Sequence, residues 1–167
     1  VARRKAERLD ELINEFLTIA RFTATKLTLE PAKVNLSRML KQITFEFNPI
    51  LKEKGLEWDL QIPDNIEIIC DSDKLERTID NLIRNAVNYS YENTTILCSL
   101  AQSPDSVRIC IQNKGATIPP EKLKRIFEQF YRLDEGRSSD TGGAGLGLAI
   151  AKEIVELHHG TISAYSE

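Results

Sequence analysis

The 167-residue chain has 41% hydrophobic and 28% charged residues and a net charge of −3, the make-up of a globular protein with room for one sizeable core and a helical appendage. The acidic balance excludes a general nucleic-acid binder, which would display a basic stripe. No apolar run is long enough to span a bilayer and no signal peptide opens the sequence, so the segment itself reads as soluble, while a longer parent remains free to be anchored elsewhere.

Residues 7–25 place Leu9, Leu12, Ile13, Phe16, Ile19 and Ala20 at helical spacing with charges opposite. No cap precedes them, so this amphipathic helix is expected to begin upstream and to pack on a second copy or on the chain's own core. Residues 26–34 read as an extended connection broken by Pro31. Asn35 is the expected N-cap of a second helix, with Leu36, Leu40, Ile43, Phe47 and Leu51 on its apolar face. Pro49 predicts a kink or early end there, and Gly55 a stop.

Strands are expected over 56–62 and 66–70, separated by Pro63-Asp64-Asn65. Asp71 or Ser72 caps a third helix running to about Tyr89. Two more strands follow near 95–100 and 107–112. Pro119 and Pro120 suit the first turn of a short helix whose apolar face is Leu123, Ile126, Phe127 and Phe130. Residues 134–143 read as a mobile loop, 145–158 as a last helix stopped by Gly160, and 161–166 as a final strand. Cys70, Cys98 and Cys110 lack CxxC spacing and fall in strand-like stretches, so buried free thiols are expected. The irregular alternation of helices and strands favours an α+β fold, a two-layer α/β sandwich with helices on one face of a mixed sheet.

Three segments carry chemistry. In Asn81-Leu82-Ile83-Arg84-Asn85-Ala86-Val87-Asn88-Tyr89-Ser90, the asparagines lie on the border between the apolar and charged faces of the third helix, at about 100° per residue. Border asparagines are ordinarily just solvated. Three of them at i, i+4 and i+7 are an unusual choice for a passive surface, because asparagine is a mediocre helix former. Their amide oxygens are hard, neutral ligands suited to Mg²⁺, which also keeps waters and phosphate oxygens.

The second segment, Gly142-Gly143-Ala144-Gly145-Leu146-Gly147-Leu148-Ala149-Ile150, runs a glycine turn directly into a helix. It matches neither a P-loop, which ends in Gly-Lys-Ser/Thr, nor a dinucleotide fingerprint, which follows an apolar strand. Its backbone N–H groups and positive helix end are nevertheless suited to phosphates. The third, Asn113-Lys114-Gly115-Ala116-Thr117-Ile118-Pro119, closes a strand with a glycine turn. It reads equally well as a plain turn or as a place to read a base edge.

In order and content these pieces resemble the ATP-binding domain of sensor histidine kinases, within the gyrase, Hsp90, histidine kinase and MutL ATPase group. Residues 81–90 are similar to the N box and 113–119 to the first glycine box, D-x-G-x-G-I-P. Phe127 and Phe130 are similar to the F box, and 143–147 to the second glycine box, which ends in G-L-G-L-A-I. The resemblance divides the chain into the end of a dimerisation hairpin with its linker, 1–30, and a catalytic and ATP-binding domain, 31–167, that lacks a final strand.

It further implies that Asn85, assisted by Asn81, holds Mg²⁺ between phosphates. Asn88, Asn113 and Gly115 would also bind the nucleotide, Tyr89 would flank the adenine, and Ile118 would line its pocket. Gly143, Gly145, Leu146 and Gly147 would shape a lid over the triphosphate, with residues 131–144 as that lid and Arg132 as its cation. The implied reaction is phosphoryl transfer from Mg-ATP to a histidine. The implied partners are ATP, a response regulator and a second copy through the opening helix, in a cytoplasmic domain of a membrane-anchored bacterial sensor.

The chain departs from the family pattern at Asn113, where the family has aspartate, at Thr117, where it has glycine, and at Asn88, where it often has lysine. Weaker nucleotide binding is therefore expected. Only His158 and His159 are present, both at a helix end where capping is the usual role, so the acceptor must come from another segment or chain. The alternative is a nucleotide-binding regulatory or docking module with little transfer activity.

Overall fold

The computed structural model describes residues 28–133 and 145–167. The expected opening helix over 7–25 and the loop over 134–143 lie outside them. Elements run β1 (Ala32–Asn35), α1 (Leu36–Glu46), α2 (Asn48–Glu53), β2 (Glu57–Gln61), β3 (Glu67–Cys70), α3 (Ser72–Tyr89), β4 (Thr95–Ser103), β5 (Ser106–Gln112), α4 (Pro120–Leu123) and α5 (Gly147–Leu157).

Local chemistry sets most of these boundaries. Asn35 caps α1, its Oδ1 accepting the Arg38 N–H at 2.9 Å. Pro49 lies in the first turn of α2 and divides the expected single helix in two at Phe47. Phe47 and Leu51 stay buried across the break, so the apolar face remains continuous.

β4 is the central strand of a mixed sheet, parallel to β2 and antiparallel to β5. Its inward residues Ile96, Cys98 and Leu100 meet Leu40 and Ile43 of α1 and Ile79, Ile83 and Val87 of α3 in one core. This period-two face against two helical stripes is the expected helix-on-sheet layering. A second, two-stranded sheet pairs β1 with β3 in antiparallel register, Val34 opposite Ile68.

Four expectations are corrected. Within the expected extended connection over 26–34, Ala32–Val34 form a strand together with Asn35, because β3 offers them a ladder. Residues 161–166 form no ladder with any described strand, and β-propensity alone does not make a strand. The helix opened by Pro120 ends at Leu123. Residues 124–130 form successive turns instead, with Arg125 N–H on Lys122 O and Glu128 N–H on Arg125 O, and they leave Phe130 exposed at φ +63°. Cys70 and Cys98 are buried free thiols, but Cys110 points outward from β5 and is exposed. Burial pushes the Cys98 thiol up to about 11.

Asp71 caps α3 and is almost wholly buried. Its carboxylate accepts the N–H of Glu30 and both the N–H and the ammonium of Lys74. Its own N–H donates to His158 Nε2 at 3.0 Å, while His158 Nδ1 meets Ile154 O, so that histidine joins α5 to the start of α3. Burial alone would raise the Asp71 pKa, but the bonds from Glu30 and Lys74 together lower it from 3.8 to about 2.

A lowered folded-state value stabilises the fold above the unfolded pKa, and the contribution disappears as pH falls through the folded one. Urea unfolding should therefore show stability declining from about pH 5 toward pH 2. Asp71→Asn should flatten that decline and cost about 1 kcal/mol at neutral pH.

Candidate nucleotide-binding site

The site is organised along α3. Its apolar positions Ile79, Ile83, Ala86 and Val87 are buried in the core, which fixes the helix's rotation. Asn81 and Asn85 are then half-buried at the border, and Asn88 and Tyr89 are exposed beside them. Asn81 and Tyr89 are about 12 Å apart along the axis, at 1.5 Å per residue.

At the Asn81 end lies the start of α5. Asn81 Nδ2 donates to Gly147 O at 3.3 Å. A carbonyl can only accept, so the Asn81 oxygen is the atom left for another partner. Leu146, Ile150 and Ile154 form a small buried cluster that anchors α5, so Leu146 reaches a ligand only through its backbone. No described side chain caps α5, and the first N–H groups of a helix have no intrahelical partner.

Gly145 has φ +74° and accepts the Phe130 N–H at 3.0 Å. A Cβ there would lie 2.9 Å from Tyr131 O, so only glycine combines that turn with that approach. Gly143 lies outside the described residues.

At the other end, Ser90 bridges Gly115 and Tyr91 N–H donates to Lys114 O at 2.8 Å. Any Cβ on Gly115 would strike the Tyr89 carbonyl and come within 3.1 Å of Asn113 Nδ2. The strand-end turn is thereby seated on the last turn of α3, with Asn113 and Ile118 half-buried nearby. Thr117 Oγ1 donates to Glu167 O and Ile118 N–H to Ser166 Oγ, which ties residues 166–167 to that turn.

Arg132 is exposed. Its neighbour Tyr131 carries the Arg125 guanidinium 4.4 Å from the ring centroid.

α3 therefore carries Asn81, Asn85, Asn88 and Tyr89 between two contacts, Asn81 with Gly147 at one end and Ser90 with Gly115 at the other. Sequence reasoning missed Lys54, whose ammonium reaches Val87 O and Asn88 Oδ1 from the turn after α2. The only signal for it was the Lys-Gly pair at a helix stop. Among the described residues no group of three His, Cys, Asp or Glu side chains could hold a metal by itself. The Asn81 oxygen, which has no described partner, and the Asn85 amide are of the type that suits a hard cation completing its shell with phosphate oxygens and water. A hollow between α1 and α3, lined by Arg38, Gln42 and Glu76 among others, contains none of these residues.

Residues 70–167 match the model of the histidine kinase-, DNA gyrase B- and HSP90-like ATPase family. The chain is 48% identical over its whole length to 46% of the sensor protein VanSC of Enterococcus gallinarum. It is 47% identical over 97% of its length to 42% of the sensor protein VanS of Enterococcus faecium. The chain thus spans under half the length of these relatives. Among solved structures, full-length ShkA in complex with AMPPNP superposes with a TM-score of 0.75 at 29% identity, over 93% of this chain and 32% of that one.

Proposed function

Because the chain belongs to the histidine kinase-, DNA gyrase B- and HSP90-like ATPase family, we propose that it binds Mg-ATP along α3 and supplies the catalytic half of a phosphoryl transfer to histidine. The observation that carries this reading is the pairing of α3 with two backbone turns: Asn81 with Gly147 at one end, and Ser90 with Gly115 at the other. The first pairing provides open N–H groups for phosphates, and the second an amide, Asn113, for a base edge. Tyr89 flanks the base and Ile118 lines its pocket.

A magnesium ion, when bound, would neutralise charge on the phosphates. Asn85, with the oxygen of Asn81, would hold it. The chain's own contribution is positioning and electrostatic stabilisation. Residues 131–144 act as the lid and Arg132 as its cation.

The acceptor comes from another segment or chain; His158 is engaged by Asp71 and Ile154, and His159 lies with it at the end of α5. The parent is a membrane-anchored sensor of the vancomycin-resistance type that dimerises through the helix over 7–25 and passes phosphate to a response regulator. Among the described residues no helix is long and apolar enough to cross a membrane.

Incubation with γ-labelled Mg-ATP and a separately supplied helical hairpin bearing a histidine tests the reading. Acid-labile label on that histidine is expected. Saturable ATP binding without transfer would instead make the chain a nucleotide-sensing module.

A further inference from the structure

Lys54 lies in the turn after α2, far in sequence from the asparagine stripe. Its half-buried ammonium donates to Val87 O at 3.2 Å and to Asn88 Oδ1 at 3.4 Å. An ammonium has three protons and accepts nothing, so it can hold only the oxygen of the Asn88 amide. That leaves the Asn88 NH₂ group as the end free to meet a ligand, and an NH₂ group donates to anions rather than ligating metals.

The sense is opposite at Asn81, where the Gly147 carbonyl holds the NH₂ group and leaves the oxygen. The amide atoms left without a described partner therefore differ, the oxygen at Asn81 and the NH₂ group at Asn88. No described carboxylate pairs with Lys54, and its third proton has no partner among the described residues.

We propose that Lys54 is a positioning residue of the nucleotide site, turning the Asn88 NH₂ group toward the phosphate chain of bound ATP. This rests on the nucleotide reading above. Position 88 then contributes a neutral donor backed by a cation delivered from another element. The contact is with phosphate, so it does not depend on the metal.

The test is calorimetric titration of the 167-residue chain with ATP, once with Mg²⁺ and once with EDTA. Lys54→Met and Asn88→Ala should each weaken binding about 10-fold in both conditions, the loss expected for one charge-assisted contact. The double variant should be no weaker than either single one, because the two groups act as a unit. Lys54→Arg should recover most of the affinity.

Unchanged ATP affinity in Lys54→Met, with only a lowered thermal midpoint, would reduce Lys54 to a cap on the Val87 carbonyl and overturn the inference. So would additive losses in the double variant. Asn88→Ala keeps the Lys54–Val87 bond and gives an independent reading, overturning the inference if its affinity is unchanged. Absence of saturable binding by the unaltered chain would overturn the nucleotide reading together with this one. Normal binding with indifferent variants would overturn this one alone.

Discussion

Asn85→Ala should lower phosphoryl transfer to a supplied acceptor hairpin by about 100-fold or more, the loss typical when a group that stabilises transition-state charge is removed. Asn85 is half-buried at the centre of the stripe, between the residues that meet Gly147 and Gly115. No described side chain shares its amide, and no buried side-chain polar atom among the described residues lacks a partner. Its truncation therefore orphans nothing, and stability should change by no more than about 0.5 kcal/mol. The combination is diagnostic, since a residue serving the fold would lose stability and activity together. Label transfer with each variant, beside a urea curve, measures both.

Gly115→Val should weaken ATP binding by about 100-fold or more, the scale expected when a binding element is displaced by an ångström. The obstacle is backbone rather than a yielding side chain: the new Cβ meets the Tyr89 carbonyl, and Asn113 Nδ2 lies 3.1 Å away. Something must move, and the weakest attachment is the single Ser90–Gly115 bridge with its Tyr91–Lys114 hydrogen bond. Residues 113–119 would lift off the end of α3 and carry Asn113 away from Tyr89. The core under β4 lies elsewhere, so the cooperative unfolding transition should survive with a loss of about 1–3 kcal/mol. A fluorescent adenine analogue titrated against the variant reads the effect. Full affinity would mean that the turn does not contribute to the site.

Much of this architecture was legible because it is local. Asn35 and Asp71 announce helix starts by side-chain bonds to N–H groups three residues on. Pro49 announces a break and Gly55 a stop. The stripe of α3 follows from helical periodicity, once its apolar residues are assigned to the core.

What stayed hidden depends on partners remote in sequence. Residues 32–35 contain one β-branched residue and become a strand only because residues 67–70 lie alongside. Residues 161–166 have the opposite fate, carrying strand-like composition but no described ladder. The run after Leu123 has helical spacing, yet turns at Arg125 and Glu128 and the left-handed Phe130 divert it.

In the site, residue types were readable and orientations were not. Nothing in Asn81 or Asn88 alone says which end of the amide is engaged; Gly147, 66 residues away, and Lys54, 34 residues away, decide it. Lys54 has no motif of its own, and only the folding of the α2–β2 turn onto the end of α3 brings it to the site.

The most direct test of the shared site is a nuclear magnetic resonance titration of the isotopically labelled chain with Mg²⁺ and a non-hydrolysable ATP analogue. The account predicts that the side-chain amide of Asn85, the backbone N–H groups of Gly145 and Gly147, and that of Gly115 shift together along one saturable curve. Shifts confined to one of these segments, or following separate curves, would contradict it.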